Sequence, residues 1–210
     1  MIAALLKRDL ARLVPGTVLP VLFFLAVAML YPFAVGARPA LLAQTGGAII
    51  WIAALLAALL PLDRLVGPDL DAGFFDQWRL RGLSEESVLA TRILAHWLSF
   101  GPALLVAALP ASALLGVPAE TLPRLILSLL AGTPGLAALG IAIAAITAGL
   151  RGGTALAGLL LIPLAVPVLI FGAGSLANDD PATLAYTAAA SLVLVALSPF
   201  AGAAAIRAGR

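Results

Sequence analysis

Pro68-Asp-Leu-Asp-Ala-Gly-Phe-Phe-Asp-Gln-Trp-Arg-Leu80 lies inside the only long polar interval of the chain, Asp63 to Trp97. That interval carries four of the twelve basic residues, six of the ten acidic ones, two of the three Trp and the only His, so it marks where the chain meets water. Pro68 suits a first helical position, and Asp69 and Asp71 lie where a helix dipole favours negative charge. The spacing predicts a short helix over 68–80. Leu70, Phe74 and Trp78 recur at i, i+4 and i+8 with Phe75 beside them, which gives one large apolar face. Such a face must rest on something. It either lies on lipid headgroups or docks a soluble partner.

Outside this interval the chain is apolar almost throughout. Hydrophobic residues make up 63% and charged residues 10% of 210 residues, and the mean hydropathy is +1.14. An ordinary soluble domain has roughly 25% charged residues, so this is an integral membrane protein. The long unbroken apolar runs indicate helices, because a barrel would show alternating segments of about ten residues. The fold class expected is all-α, within one transmembrane domain covering 1–210. Absence of Cys removes disulfide, thiolate-ligand and sulfur redox chemistry. The net charge of only +2 gives no footing for nucleic acid.

Residues 1–14 place Ile2, Leu5, Leu6, Leu10 and Leu13 on one helical face with Lys7, Arg8 and Arg12 off it, which predicts an amphipathic helix lying flat on the membrane surface. A cleaved signal peptide with residues 17–31 as its apolar region is the alternative. The apolar run continues to about Val35, however, long enough to span. Six spans follow, at about 17–36, 44–62, 93–116, 122–149, 153–175 and 183–206. Between the second and third, residues 63–92 form one polar loop.

The basic residues orient the spans. Lys7, Arg8, Arg12, Arg64, Arg79, Arg81, Arg92, Arg151, Arg207 and Arg210 fall on one side, against Arg38 and Arg124 on the other. Basic residues concentrate on the cytoplasmic side. Both termini and the 63–92 loop are therefore expected in the cytoplasm. Every acidic residue falls outside the expected spans, with Glu120, Asp179 and Asp180 on the far side. No intramembrane carboxylate is left to relay protons, and no inverted repeat is evident, which weighs against a secondary carrier.

Prolines and glycines punctuate the spans. Gly132-Thr-Pro-Gly135, Pro163, Pro167 and Ser198-Pro199 predict bends, because each proline removes a backbone donor. Lys7 is the only Lys and no Gly-rich loop precedes it, so the chain has no phosphate cradle and no ATPase activity alone. An intramembrane serine protease would need Ser175 beside His96, and the expected spans place them near opposite faces. His96 is the one residue that invites a haem ligand, but two imidazoles would need a second His. The alternative is a His bonded to a backbone carbonyl or anchoring the span beside Trp97.

Six spans, an amphipathic N-terminal helix and a cytoplasmic helix between spans two and three resemble the permease half of an ABC-2 type transporter. Gly47-Ala-Ile-Ile-Trp-Ile-Ala-Ala-Leu55, Ala95-His96-Trp97, Gly132-Thr-Pro-Gly-Leu136 and Leu150-Arg-Gly-Gly153 narrow this. So do Ile162-Pro-Leu-Ala-Val-Pro-Val-Leu-Ile-Phe171 and Leu197-Ser-Pro-Phe-Ala-Gly-Ala-Ala-Ala-Ile-Arg207. Together they resemble the haem exporter protein B (CcmB) family of bacterial cytochrome c maturation, over nearly the whole chain. The chain departs where Asp63-Arg64 stands for a usual Glu-Arg pair, where Asp76 stands for Glu, where Phe74 replaces a small polar residue, and in a shortened loop around Asn178–Pro181.

The resemblance implies a complex in the bacterial inner membrane. Its parts are two copies of this permease, two ATP-binding subunits, a haem-handling membrane subunit, a small accessory membrane protein and a haem chaperone. ATP and haem would be held by partners, with no cofactor on this chain. Asp63, Arg64, Leu70, Gly73, Phe74, Phe75, Asp76, Trp78 and Arg79 would dock the ATPase. The expected output is haem handling or release of loaded chaperone on the periplasmic face. Other readings are a passive scaffold and an ABC-2 exporter of another substrate.

Overall fold

The computed structural model describes residues 1–36, 38–148, 150, 153–177 and 181–209. Asn178, Asp179, Asp180, Arg151 and Arg210, which entered the charge and loop readings, lie outside the described residues. The elements in order are α1 (Ile2–Leu13), a 3-10 turn (Val14–Thr17), α2 (Val18–Val35), α3 (Pro39–Leu59), α4 (Leu62–Leu65), α5 (Gly67–Asp71) and α6 (Phe74–Leu80), then α7 (Glu85–Leu114), α8 (Leu122–Thr147), α9 (Gly153–Ala177) and α10 (Pro181–Ala208). Among the described residues, six helices are long and apolar enough to cross a membrane, the first of them continuous from Ile2 to Val35. In lipid only helices and closed barrels satisfy the backbone, and long unbroken apolar runs form helices. The protein is a multi-pass, all-α membrane protein.

At the centre stands α8, which is far more enclosed than α9 or α10, with α10 packed most extensively along it. Between helices in lipid there is no hydrophobic drive, so close packing of small residues takes over. A Cβ on Gly135 would come within 2.7 Å of Ser191 Cα, and the Gly135 N–H donates to Ser191 Oγ at 2.8 Å. From α3, Trp51 enters this core fully buried and donates its indole N–H to Ser128 Oγ at 3.1 Å. Its ring occupies the space left by two glycines: a Cβ on Gly132 or on Gly172 would lie 2.3 Å from it. Helix geometry runs unbroken through Pro134, Pro163, Pro167 and Pro199.

Three expectations change on the polar side. The helix expected over 68–80 is two helices, α5 and α6, because Gly73 takes a left-handed φ of +64° and turns the chain between them. The intended stripe of Leu70, Phe74 and Trp78 is thereby broken, and Phe75 and Trp78 become the buried pair. The helix that carries the third span also begins before 93, at Glu85. Ser84 caps α7, its side chain accepting from the Ser87 N–H at 3.3 Å, with Glu85 and Glu86 in the first turn where the dipole favours them.

Beyond the amphipathic pattern, α1 runs through the 3-10 turn into α2 and packs on α7. Asp9 reaches Arg92 and Thr17 Oγ1 donates to the Ser99 carbonyl, so the α1–α2 junction follows α7 in the same direction. Leu5 and Asp9 share the buried face, one turn apart. The ion pair of Asp9 with Arg92 ties this face of α1 to α7.

Candidate functional site

Five charged side chains from three elements converge where α1, α5 and α7 meet. Arg8 and Arg12, four residues apart and so on one face of α1, both reach Asp69 of α5. Arg8 Nη2 donates to Asp69 Oδ1 at 2.6 Å and Arg8 Nη1 to Oδ2 at 3.0 Å, a two-pronged arrangement that fits the planar guanidinium. Arg12 Nη1 also donates to Asp69 Oδ2. From α7, Arg92 Nε donates to Asp9 Oδ2 at 3.2 Å, and its Nη2 stands 2.5 Å from Asp69 Oδ2. Nη2 makes no aligned hydrogen bond, so this last contact is a close ion pair. Backbone carbonyls complete the set: Arg92 Nη1 donates to Leu65 O at 3.0 Å and Arg12 Nη2 to Arg64 O at 2.7 Å.

Burial sets the character of this junction. Asp9 and Arg92 are each 1% exposed and Asp69 4%, whereas Arg8 is over a third exposed. Burial by itself would push the Asp69 carboxyl up; the hydrogen bond from Arg8 and the charges of Arg92, Arg12 and Arg8 outweigh it and hold the group below the usual carboxylate range. Opposed charges so enclosed are costly to separate, because each left alone would be a desolvated ion.

The aromatic residues of α6 close the junction from below. The Arg8 guanidinium carbon sits 3.8 Å from the centre of the Phe74 ring, and that of Arg92 lies 5.3 Å and 5.4 Å from Phe74 and Phe75, both within cation–π range. Phe75 and Trp78 are 2% and 8% exposed. The aromatic face expected to meet a partner is therefore occupied by the protein itself. What α6 turns outward is Asp76, Gln77, Arg79 and Leu80, with Leu80 89% exposed.

The other expected site residues are dispersed around this centre. Asp63 and Arg64 are exposed on α4, Leu70 is half-buried, and Gly73 forms the break before α6. Sequence reading missed Arg8, Asp9, Arg12 and Arg92 as a unit. One signal was present: Asp9 falls at i+4 from Leu5 and i−4 from Leu13, an acid on the apolar side of α1.

His96 is 2% exposed, and the expected bond to a backbone carbonyl is not made by its Nε2, which has no partner. Its ring centre lies 4.9 Å from that of Phe100. Ser175 donates to the Gly172 carbonyl at 2.7 Å, on a helix that is not among those packed extensively on α7. Among the described residues no group of three His, Asp or Glu side chains could hold a metal ion.

Known proteins are similar in sequence to this chain over most of its length. Proteins called "Heme exporter protein B" match at 44% identity from Paracoccus denitrificans, over 97% of this chain and 97% of theirs. From Bradyrhizobium diazoefficiens the identity is 40%, over 99% and 98%; from Escherichia coli K12 it is 39%, over 90% and 88%. Residues 1–209 match the family described as CcmB protein. Six membrane-crossing helices, a polar segment folded back on the N-terminal helix, and similarity that runs end to end place this chain in the CcmB protein family.

Proposed function

We propose that this chain is the membrane permease subunit of an ABC transporter for cytochrome c maturation. It carries motion from an ATP-binding partner to haem handling or to release of a haem-loaded chaperone at the periplasmic face. The names of the relatives support the haem assignment. The polar face of α4 to α6 supports the coupling, and the excess of basic residues on that side supports its location in the cytoplasm. ATP would be bound by two partner subunits, and haem by a separate membrane subunit with its accessory protein and chaperone. Two copies of this chain would form the permease.

One observation carries the reading: α5 is tied by Asp69 to both α1 and α7. A push on the outward face of α6 is thus delivered to two membrane helices through one buried carboxylate. A merely adhesive scaffold would have no need of that linkage.

Docking is assigned to the outward face of α6, with Arg79 and Leu80 at its centre. Covering a Leu side chain contributes about 1.5–3 kcal/mol, and rim charges guide encounter. Arg79→Glu with Leu80→Asp is expected to weaken binding of the ATP-binding subunit by at least about tenfold, the equivalent of 1.4 kcal/mol. Membrane insertion should be unchanged, because both side chains point outward. Affinity in detergent beside insertion level checks this. Wild-type binding by the double variant would remove the docking face. A scaffold is distinguished by a further result: complexes that assemble normally with Asp69→Asn and still hydrolyse ATP at the wild-type rate while maturing cytochrome c.

A further inference from the structure

Next to the charged junction, between the start of α2, the end of α3 and the first half of α7, lies a cavity of about 460 Å³. That is the size of a small-molecule site. Arg12 and Arg64 are on its wall and no carboxylate is. Arg12 is engaged with Asp69 and with the Arg64 carbonyl, which leaves the Arg64 guanidinium as the charge without an ion-pair partner among the described residues. That guanidinium stands at the cavity beside Gly16, where the space is open: a Cβ there would have only Arg64 Nη1 near it, at 4.0 Å. Deeper in the wall is His96, buried and with Nε2 unpartnered. The remaining wall is apolar, with Leu19, Leu60 and Phe100. From Leu19 the apolar surface continues along α2 through Leu22, and these two are 59% and 58% exposed.

We propose that this cavity binds the phosphodiester headgroup of an anionic membrane lipid. The phosphate sits against Arg64, and the acyl chains leave along the lipid face of α2 at Leu19 and Leu22. A basic pocket where the α1–α2 junction and the end of α3 meet α7, on the side rich in basic residues, has the charge for such a ligand. Arg supplies planar, paired donors that suit phosphate. The apolar wall and the exposed run of α2 favour a phosphate that carries chains over a free one. Because the cavity also touches Arg12, the bound headgroup would brace the α1–α2 junction against α7.

The test uses the full chain, delipidated in a neutral maltoside detergent and titrated with phosphatidylglycerol, phosphatidylcholine or inorganic phosphate while the melting temperature is followed. Phosphatidylglycerol is expected to raise the melting temperature saturably, and phosphatidylcholine and inorganic phosphate to leave it unchanged. Arg64→Gln should weaken the phosphatidylglycerol response at least about tenfold, as loss of a charge-assisted contact implies. Gly16→Leu, which keeps every charge and fills the space, should do the same. An equal response to phosphatidylcholine would overturn the proposal, and so would wild-type titration by both variants. A response to inorganic phosphate as strong as that to phosphatidylglycerol would overturn the lipid as the source. None of these results depends on an ATP-binding partner.

Discussion

Asp69→Asn is expected to cost about 3–5 kcal/mol of stability, as removal of one partner from a buried charge network does. The substitution keeps shape and removes only charge. Three guanidiniums would then face Asp9 alone, with Arg92 1% exposed and unable to reach water. The unfolding midpoint in detergent measures it. The pH dependence carries the sign of a carboxyl held below its usual range: the stabilisation is fully present above the unfolded value, about 4 for Asp, and is lost as pH falls through the lower folded value. The wild type and the Asn variant should therefore differ most at neutral pH and converge in acid below about pH 4. A constant difference through that acid range would contradict the role given to Asp69.

Gly172→Leu is expected to destabilise the bundle by about 3 kcal/mol or more. Overpacking a filled core typically costs about 1–3 kcal/mol, and here the room is less than usual. Even a lone Cβ would lie 2.3 Å from Trp51 Cζ2 and 2.4 Å from Cε2. The ring cannot step aside, because Ser128 holds its N–H and Gly132 lies against it with a gap just as small. Trp51→Ala alone should cost about 3–5 kcal/mol. Combined, the two should cost less than their sum by about 1–3 kcal/mol, the range for residues in direct contact. Simple additivity in thermal or denaturant unfolding would show that Trp51 does not occupy this space.

These two sites differ in how far they could be read beforehand. The six apolar runs determine the bundle, since lipid leaves the backbone few other choices, and the span limits come from the same runs. Gly132-Thr-Pro-Gly135 was visible as a special stretch, but as a bend. Its use as a socket for Trp51 depends on which helix lies opposite, and periodicity does not contain that. On the polar side, Leu70, Phe74 and Trp78 have helical spacing, and spacing alone implied a single stripe. One left-handed residue, Gly73, divides it, because Gly adopts that conformation without strain. Which face was free then reversed: Arg8 and Arg92 of distant segments take the aromatic rings, and the polar residues and Leu80 turn outward. Pairing of Asp9 with Arg92, and of Asp69 with Arg8, Arg12 and Arg92, spans tens of residues and has no local signature beyond one acid on an apolar face.

As proposed, the outward face of α6 lies in the cytoplasm and is covered by an ATP-binding partner. Gln77, exposed on that face, offers the most direct measurement. With Gln77→Cys as the only thiol, since the chain has no Cys of its own, an impermeant thiol reagent is applied to inverted membrane vesicles and to intact spheroplasts, each with and without the ATP-binding subunit. Labelling only in inverted vesicles, suppressed when the subunit is bound, is the predicted result. Labelling from the periplasmic side, or labelling that the bound subunit leaves unchanged, would contradict a cytoplasmic docking face.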